Sequence, residues 1–470
     1  MKAITTTEPH SFRLLLIAAA LSFLPMLNLY YIGEEAIFPI TSMEMWQHGA
    51  WLKQYLYGGD VQHNPLFNWL IIVFANLFGW SHVLEVARSL TICATLATAA
   101  VLSWLVWRLF RERSFAAFAA LTYLTFNDVL MYRGWLAYVD PLFALCIFAA
   151  IAALWIACAE QSSNLLWAAA IALTCALLSK AFTAYVFYAA TWLVLVRERS
   201  YRRLLFSPMS LAAHTAMLLA PLAWFALVPA GHSQSGRMFD EILAKLAPSN
   251  IGDYLAKLLL YPLEILSGLL PAAALVIYFI WRGRIAQDET QPEHFRNALL
   301  IAALNFLPYW FAPHSGVRYL MPIYPLFALI AARLIWRAGS PAVHIARRWF
   351  ASTIALSFVL GLVVFPYYQH KFRGENYAQT ATDIITRTAG QPLYVTNSTA
   401  TGLNVSAYIN QQRYPQQALQ YPPQDMESGF IIAMDSGSQP ETAVKEYKLG
   451  GDKLYLLCRG AACTAGLPIK

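Results

Sequence analysis

The feature that most constrains the fold is a succession of long apolar blocks, of which Leu14 to Tyr31 and Val86 to Val106 are typical. A helix of about 20 apolar residues is long enough to cross the roughly 30 Å hydrocarbon layer of a bilayer. Only 13% of the residues are charged, whereas a soluble domain carries about a quarter. The sequence therefore predicts an all-α polytopic membrane protein.

Division of the apolar blocks at their polar junctions predicts about eleven spanning helices. The stretch 64–80 is also apolar, but Asn64-Pro65, Asn68 and Asn76 interrupt it. We expect it to lie along the membrane surface as a juxtamembrane helix, with its tryptophans at headgroup depth. The first block lacks the small-residue cleavage site of a signal peptide and is expected to be retained. The predicted spans are 12–32, 87–108, 115–132, 140–159, 165–179, 181–196, 209–230, 257–281, 297–313, 319–336 and 349–368.

Clusters of basic residues between the spans set the orientation, because loops rich in Arg and Lys stay in the cytoplasm. The clusters lie at 108–113, 197–203, 282–296 and 337–348. If segment 64–80 lies on the membrane surface, all four basic clusters face the cytoplasm and the N-terminus is cytoplasmic. If this segment crossed the membrane, all four clusters would face outward. Segments 33–86, 133–140, 231–256 and 314–318 are then external. These loops account for the net charge of +7, and no nucleic-acid partner is expected.

The composition changes near residue 370, where Gln, Thr, Asn and charged residues replace the apolar blocks. We predict two domains: a membrane domain at 1–369 with its first outer loop at 33–86, and a small soluble, extracytoplasmic α/β domain at 370–470. Cys458 and Cys463 could form a disulfide if that domain faces an oxidising compartment. Within it we expect helices at 376–388 and 441–447 and strands at 393–396, 430–434 and 454–457.

Three carboxylates of the predicted outer face are candidates for catalysis. Glu34 and Glu35 follow the first span in an apolar and aromatic setting, where a carboxylate can act as a general base for a hydroxyl nucleophile. The same pair could instead cap the next helix or lie solvated in a loop. Asp140 precedes Pro141 at the start of a span, which suits a helix N-cap or a further carboxylate of the same site.

Several cations share this face. Arg318 breaks the inside-positive pattern, and it could anchor to lipid headgroups or bind a phosphate through paired hydrogen bonds. Lys180 interrupts two short apolar blocks and needs a partner, and Arg133 and Arg237 are also outward cations. His63 could bind a metal or a phosphate, or neither. The sequence contains no metal-ligand spacing such as Cys-x-x-Cys.

Taken in order, these residues resemble the GT-C superfamily of glycosyltransferases, in the branch of the aminoarabinose transferases of lipid A and the protein O-mannosyltransferases. The resemblance covers roughly residues 12–336. It implies a sugar donor on a polyprenyl phosphate, Glu34 as the base with Glu35 beside it, Asp140 at the catalytic site, and substrate binding near Arg318 and Tyr319. The matching segments are 33–38, 48–51, 63–69, 140–142, 180–181 and 318–325.

Some positions depart from the family pattern. Glu34 stands where the family has Asp, and the family's Arg near Ile37 and Lys near His63 are missing. We therefore expect Arg318, Lys180 and His63 to bind the donor phosphate together. The resemblance implies no certain cofactor, and a divalent metal stays open. It also implies a multi-pass protein of the bacterial inner membrane, with the outer face in the periplasm.

The acceptor stays open among lipid A, another glycolipid, a glycan and a protein. An oligosaccharide ligase or polymerase that uses a pyrophosphate carrier would need the same carboxylates but a longer cleft. A lipid or solute transporter is a further alternative, but the internal repeats that many transporters carry are not seen in this sequence.

Overall fold

The computed structural model describes residues 8–61, 64–228, 250–286, 291–371, 376–436 and 441–465. Helices dominate these residues. In chain order they are α1 (Glu8–Leu21), α2 (Ile37–Gln47), α3 (Leu66–Phe78), α4 (Val83–Phe110), α5 (Arg113–Leu124), α6 (Asp140–Glu160), α7 (Asn164–Ser179), α8 (Ala184–Leu195), α9 (Arg199–Leu205), α10 (Pro208–Leu227), α11 (Ile251–Gly268), α12 (Ala272–Trp281), α13 (Pro292–Phe311), α14 (Tyr324–Arg337), α15 (Ser340–Val359), α16 (Phe365–Lys371), α17 (Tyr377–Arg387), α18 (Ala400–Arg413) and α19 (Ala462–Ala465). The strands are β1 (Gln54–Leu56), β2 (Gly59–Val61), β3 (Leu393–Val395), β4 (Gly429–Ala433), β5 (Thr442–Leu449) and β6 (Asp452–Arg459).

Among the described residues, 6 helices are long and apolar enough to cross a membrane, which makes this a multi-pass membrane protein. The predicted span 257–281 is not one straight helix, because α11 and α12 meet at a bend of 104°; counted as one span, they raise the total to 7. Helices also occupy the other predicted blocks, but α7 and α8 are shorter than a span. The predicted total of about eleven stays a prediction. The helices that meet both criteria are Ser11–Asn28, Trp80–Phe110, Asp140–Glu160, Pro208–Leu227, Val317–Arg337 and Ser340–Lys371.

The chain divides into two compact units, and the first consists of Met1–Leu24, Thr91–Trp135 and Val139–Phe358. It is a helical bundle in which α6 is buried along most of its length. Aromatic rings from α1, α5, α14 and α15 form part of its core. The ring of Phe118 lies 5.5 Å from those of Phe12 and Trp336 and 5.7 Å from that of Phe350.

The second unit consists of Pro25–Leu90, Leu136–Tyr138 and Val359–Lys470. It therefore contains most of the predicted outer loop together with the C-terminal segment. A four-stranded sheet in the order β3-β4-β6-β5 has a parallel β3–β4 pair and antiparallel neighbours elsewhere. Met426, Ile431, Ala433 and Leu457 form a buried cluster on this sheet. The predicted domain boundary at 369/370 stays a prediction.

The C-terminal secondary structure follows the prediction in part. Helix α17, strands β3, β4 and β6 and the Cys458–Cys463 disulfide are present. The predicted helix at 441–447 is wrong, because these residues form β5. Gly450 and Gly451 have φ of 61° and 101° and allow the tight turn that pairs β5 with β6.

Helix α3 occupies the stretch that we expect on the membrane surface. Its 13 residues are about 20 Å long at 1.5 Å per residue, shorter than a roughly 30 Å hydrocarbon layer. One side is buried through Phe67, Ile71 and Ala75, whereas Leu77 and Phe78 are exposed. Such a helix suits an interfacial position, which is what the predicted orientation of the chain requires.

A buried carboxylate holds the β1–β2 hairpin against α2. Glu44 is fully buried, and its carboxylate accepts the backbone N–H groups of Tyr57 at 2.7 Å and Gly58 at 2.8 Å. Both turn residues have positive φ, 58° and 76°, as a type I′ turn requires. Burial raises the pKa of Glu44 to about 7.

This raised pKa predicts a specific pH dependence of stability. In the unfolded chain a Glu titrates near 4.3, so between about 4.5 and 7 the folded state binds more protons and stability falls as pH rises. We expect the thermal midpoint of detergent-solubilised wild type to fall between pH 5 and pH 8 when it is measured relative to that of Glu44→Gln. Each kcal/mol of lost stability should lower the midpoint by roughly 2–4 °C. The exposed Glu427→Gln is the matched control and should follow wild type. Parallel curves for wild type and Glu44→Gln would contradict the assignment.

Candidate functional site

The acidic pair of the predicted first outer loop lies in a tight turn of the second unit. The N–H of Glu35 donates to the Ile32 carbonyl at 3.3 Å, and the N–H of Ile37 donates to the Glu34 carbonyl at 3.2 Å. Gly33 has φ of 58°, and a Cβ there would lie 2.9 Å from the hydroxyl of Tyr138. Glycine is therefore needed at this position.

Glu35 is a buried structural group. Its carboxylate forms a two-point pair with the Arg88 guanidinium, with Nε at 2.9 Å and Nη2 at 2.6 Å. It also accepts the N–H groups of Ile32 at 2.8 Å and Ala137 at 2.7 Å. Both charged side chains are 0% exposed. Burial of a charge is tolerated when it is paired and fully hydrogen-bonded, and this pair meets that requirement.

Arg88 uses its remaining N–H groups to hold the end of the first span. Nη1 donates to the carbonyls of Met26 and Leu29, and Nη2 donates to that of Tyr30. With the two bonds to Glu35, every guanidinium N–H has an acceptor. Arg88 therefore fixes both the chain before the acidic turn and the turn itself.

Glu34 has the opposite environment. It is exposed, and no other described residue donates a hydrogen bond to its carboxylate. Its backbone N–H donates to the Tyr138 hydroxyl at 3.2 Å. An exposed carboxylate on a rigidly held turn can accept a proton from a hydroxyl that approaches from solvent. Of the two predicted acids, only Glu34 is open to such a hydroxyl.

Asp140 and Lys180 meet in the first unit. Helix α6 starts at Asp140, the N-cap is Val139 without a side-chain bond, and the Asp140 carboxylate pairs with the ammonium of Lys180. Lys180 is the C-cap of α7. The predicted need of Lys180 for a partner is thus met by Asp140, which serves as that partner and not as the helix cap.

Aromatic rings surround this ion pair. The Lys180 ammonium lies 5.2 Å from the ring centre of Tyr319 and 5.9 Å from that of Phe143. The guanidinium of Arg318, which is exposed, lies 5.3 Å from the same Tyr319 ring. Tyr319 in turn stacks on Tyr309 with centroids 6.3 Å apart. Two cations beside one aromatic face make this a cluster that can receive an anion next to an apolar group.

Arg133 belongs to a different cluster of the same unit. Its guanidinium pairs with Asp128, which also accepts the Tyr324 hydroxyl at 2.7 Å. The adjoining Asn127 N–H donates to the carbonyl of Leu270 at 2.8 Å, within the break between α11 and α12. Arg133 therefore belongs to the packing at this break, and its contacts with Asp128 and Tyr132 do not join it to Lys180.

The remaining predicted positions lack a structural description. His63 and Arg237 lie outside the described residues. Among the residues that are described, no group of three or more His, Cys, Asp and Glu side chains could hold a metal ion. The roles of these two residues therefore stay predictions.

Arg88 is the main residue that sequence reasoning missed. It is the only charged residue between Glu85 and Arg108, inside a predicted span. A lone charge in a spanning helix needs a partner within the protein. That signal was present in the sequence, but it did not identify which carboxylate is the partner.

Two protein-family models match separate parts of the chain. The Dolichyl-phosphate-mannose-protein mannosyltransferase family matches residues 62–225, and the Alg9-like mannosyltransferase family matches residues 255–419. No curated protein sequence matches the chain significantly.

Two solved structures share the fold over nearly the whole chain. ArnT from Cupriavidus metallidurans bound to undecaprenyl phosphate superposes with a TM-score of 0.73 at 15% identity, and its apo state with 0.72 at 16%. Each alignment covers 97% of this chain and 99% of ArnT. Two mannosyltransferase family models therefore match separate parts of this chain, and its fold is similar to that of ArnT over nearly the whole length.

Proposed function

We propose that this protein transfers a sugar from a polyprenyl-phosphate donor to a hydroxyl of an acceptor on the periplasmic face of a bacterial inner membrane, with Glu34 as the general base. The acceptor class is a lipid such as lipid A, another glycolipid, a glycan or a protein. The matched families are described as mannosyltransferases, and the similar ArnT structure contains undecaprenyl phosphate. Both support a donor that carries its sugar on a polyprenyl phosphate.

The observation that supports this proposal is the difference between the environments of Glu34 and Glu35. The Glu35 carboxylate is hydrogen-bonded to Arg88 and to two backbone N–H groups. Glu34, in contrast, is exposed on the turn that these bonds stabilise. A general base must reach its proton at hydrogen-bond distance in a fixed geometry. A rigid turn with an exposed carboxylate meets that need, and a mobile surface loop would not.

The Lys180–Tyr319–Arg318 cluster is our candidate for the donor phosphate. Arg318 offers the planar N–H fork that suits phosphate oxygens. Asp140 offsets the charge of Lys180 and holds its ammonium at the Tyr319 ring. The aromatic stack beside it provides apolar surface for the first isoprene units.

The reaction that follows is a single displacement. Glu34 takes the proton of the acceptor hydroxyl as the hydroxyl oxygen forms a bond to the anomeric carbon. The bond from that carbon to the phosphate oxygen breaks, and its electron pair leaves with the polyprenyl phosphate. Cations that offset the growing charge on this phosphate lower the barrier. Attack opposite to the leaving group inverts the anomeric configuration.

The topology that goes with this function has about eleven spans, a cytoplasmic N-terminus and a periplasmic C-terminal domain at 370–470. The basic clusters between spans support the orientation. The Cys458–Cys463 disulfide supports an oxidising compartment for the C-terminal segment.

Glutamine substitutions in the acidic pair should have different effects. We expect Glu34→Gln to lower transfer about 10²- to 10⁴-fold, the usual contribution of a general base, with normal yield of folded protein. Glu35→Gln leaves Arg88 as a buried unpaired charge and should cost roughly 3–5 kcal/mol of stability. Mass spectrometry of surface glycans and lipids in cells with and without the gene product measures transfer, and detergent-soluble yield measures folding. Wild-type transfer by folded Glu34→Gln would refute the base assignment.

Removal of the exposed guanidinium should weaken phosphate binding. We expect Arg318→Ala to raise the Kd for undecaprenyl phosphate about tenfold, because a charge-assisted hydrogen bond contributes roughly 1.5–3 kcal/mol. Arg282→Ala is the matched control, since Arg282 also lies over aromatic rings but belongs to a loop predicted to be cytoplasmic. Native mass spectrometry of the purified protein with undecaprenyl phosphate gives both values. Equal affinities of Arg318→Ala and wild type would exclude Arg318 from the phosphate site.

The mechanism requires that Glu34 and Arg318 are accessible from the same side of the membrane. In a background without the cysteines of the apolar blocks, we expect Glu34→Cys and Arg318→Cys to react with an impermeant maleimide added to the periplasmic side. Arg284→Cys should react only after the membrane is opened. Labelling of the first two variants from opposite sides would rule out the proposed mechanism. The cysteines to be replaced are Cys93, Cys146, Cys158 and Cys175.

A further inference from the structure

Helix α18 of the C-terminal segment buries several polar side chains inside the second unit. Thr401, Asn404, Ser406 and Asn410 are each 3% exposed or less. Buried amides and hydroxyls are costly unless they have hydrogen-bond partners. The hydrogen-bond partners of these side chains therefore indicate the role of α18.

Residues at one-turn intervals along α18 contact the chain just before Glu34. The Asn404 amide Nδ2 donates to the Gly33 carbonyl at 3.1 Å. Gln411 Nε2 donates to the Tyr31 hydroxyl at 2.7 Å, and the ring of Tyr408 lies edge-on to that of Tyr31 with centroids 5.1 Å apart. Positions 404, 408 and 411 share one helix face, so the whole face is directed at the acidic turn.

The peptide group between Gly33 and Glu34 is held from both ends by these contacts. Its carbonyl oxygen accepts from Asn404, and its N–H donates to the Tyr138 hydroxyl at 3.2 Å. A peptide group is planar, so two bonds at opposite edges fix its rotation. That rotation sets the direction of the Cα–Cβ bond of Glu34.

We infer that Asn404 is a positioning residue for Glu34, and that the C-terminal segment forms part of the catalytic frame of the enzyme. The inference rests on the proposed role of Glu34 as the base. Asn404 does not touch the reacting atoms; it acts through the Gly33–Glu34 peptide. A displacement of about 1 Å in a catalytic group can cost 10²-fold in rate, so loss of this bond should lower turnover without a change in substrate affinity.

The chain offers a matched pair of isosteric substitutions for the test. Asn404→Asp keeps the shape but replaces the donor with an oxygen that faces the Gly33 carbonyl. Asn410→Asp makes the same chemical change on the same helix and keeps the oxygen that accepts the Leu419 N–H. Both introduce a buried carboxyl, so a difference between them reports the contact with Gly33.

We expect Asn404→Asp to lower kcat at least about tenfold and to leave KM for the donor within about twofold, whereas Asn410→Asp keeps the wild-type kcat. The donor is the polyprenyl-phosphate sugar that accumulates in cells without the gene product. Hydrogen exchange of the backbone segment 30–38 should be faster in Asn404→Asp and unchanged in Asn410→Asp. A destabilised fold would instead raise exchange throughout the chain.

A second variant keeps the inference falsifiable if Asn404→Asp fails to fold. Tyr138→Phe removes the hydroxyl at the other end of the same peptide group and should also lower kcat with little effect on KM. Wild-type kcat and wild-type exchange of 30–38 in the variants, together with an inactive Glu34→Gln, would overturn the positioning role alone. Full activity of Glu34→Gln would overturn the proposed function, whatever the exchange data show.

Discussion

The ion pair between Arg88 and Glu35 is the interaction on which the acidic turn at Glu34 depends. A guanidinium inside an apolar helix is tolerated only when each of its N–H groups finds an acceptor. Here the acceptors are the Glu35 carboxylate and the carbonyls of Met26, Leu29 and Tyr30. The requirement to satisfy one buried charge therefore determines where the first span ends and how the acidic turn is presented.

The apolar helices and three of the strands in the C-terminal segment were predictable, because their sequence patterns are local. The angle between α11 and α12 and the strand β5 were not. Gly268 and Pro271 mark a break within residues 257–281, but they do not give the 104° angle of the bend. Residues 442–449 form a strand and not the predicted helix because Gly450 and Gly451 allow a tight turn that pairs β5 with β6. This pairing brings Glu446 within 3.1 Å of Lys453 on the partner strand.

The sequence named Glu34, Glu35, Asp140 and Lys180 as candidates, but it did not give their contacts. Glu34 and Glu35 are adjacent in sequence, and nothing local separates a base from a structural acid. Their roles differ because Arg88, which is 53 residues from Glu35 in the sequence, pairs with Glu35. Asp140 likewise reads as a helix cap until Lys180, 40 residues later, supplies its partner. Such roles depend on tertiary contacts, which override the local signal in a single sequence.

The hydrogen bond between Gly33 and Asn404 joins residues 371 positions apart. During synthesis the first outer loop emerges long before α18, at an elongation rate of roughly 5–20 residues per second. For tens of seconds, therefore, the nascent protein has Glu34 but lacks the amide that orients its peptide group. If Asn404 acts as we infer, the enzyme becomes fully competent only when α18 has been made and has folded against the acidic turn, so a chain terminated before α18 would insert into the membrane without gaining full activity.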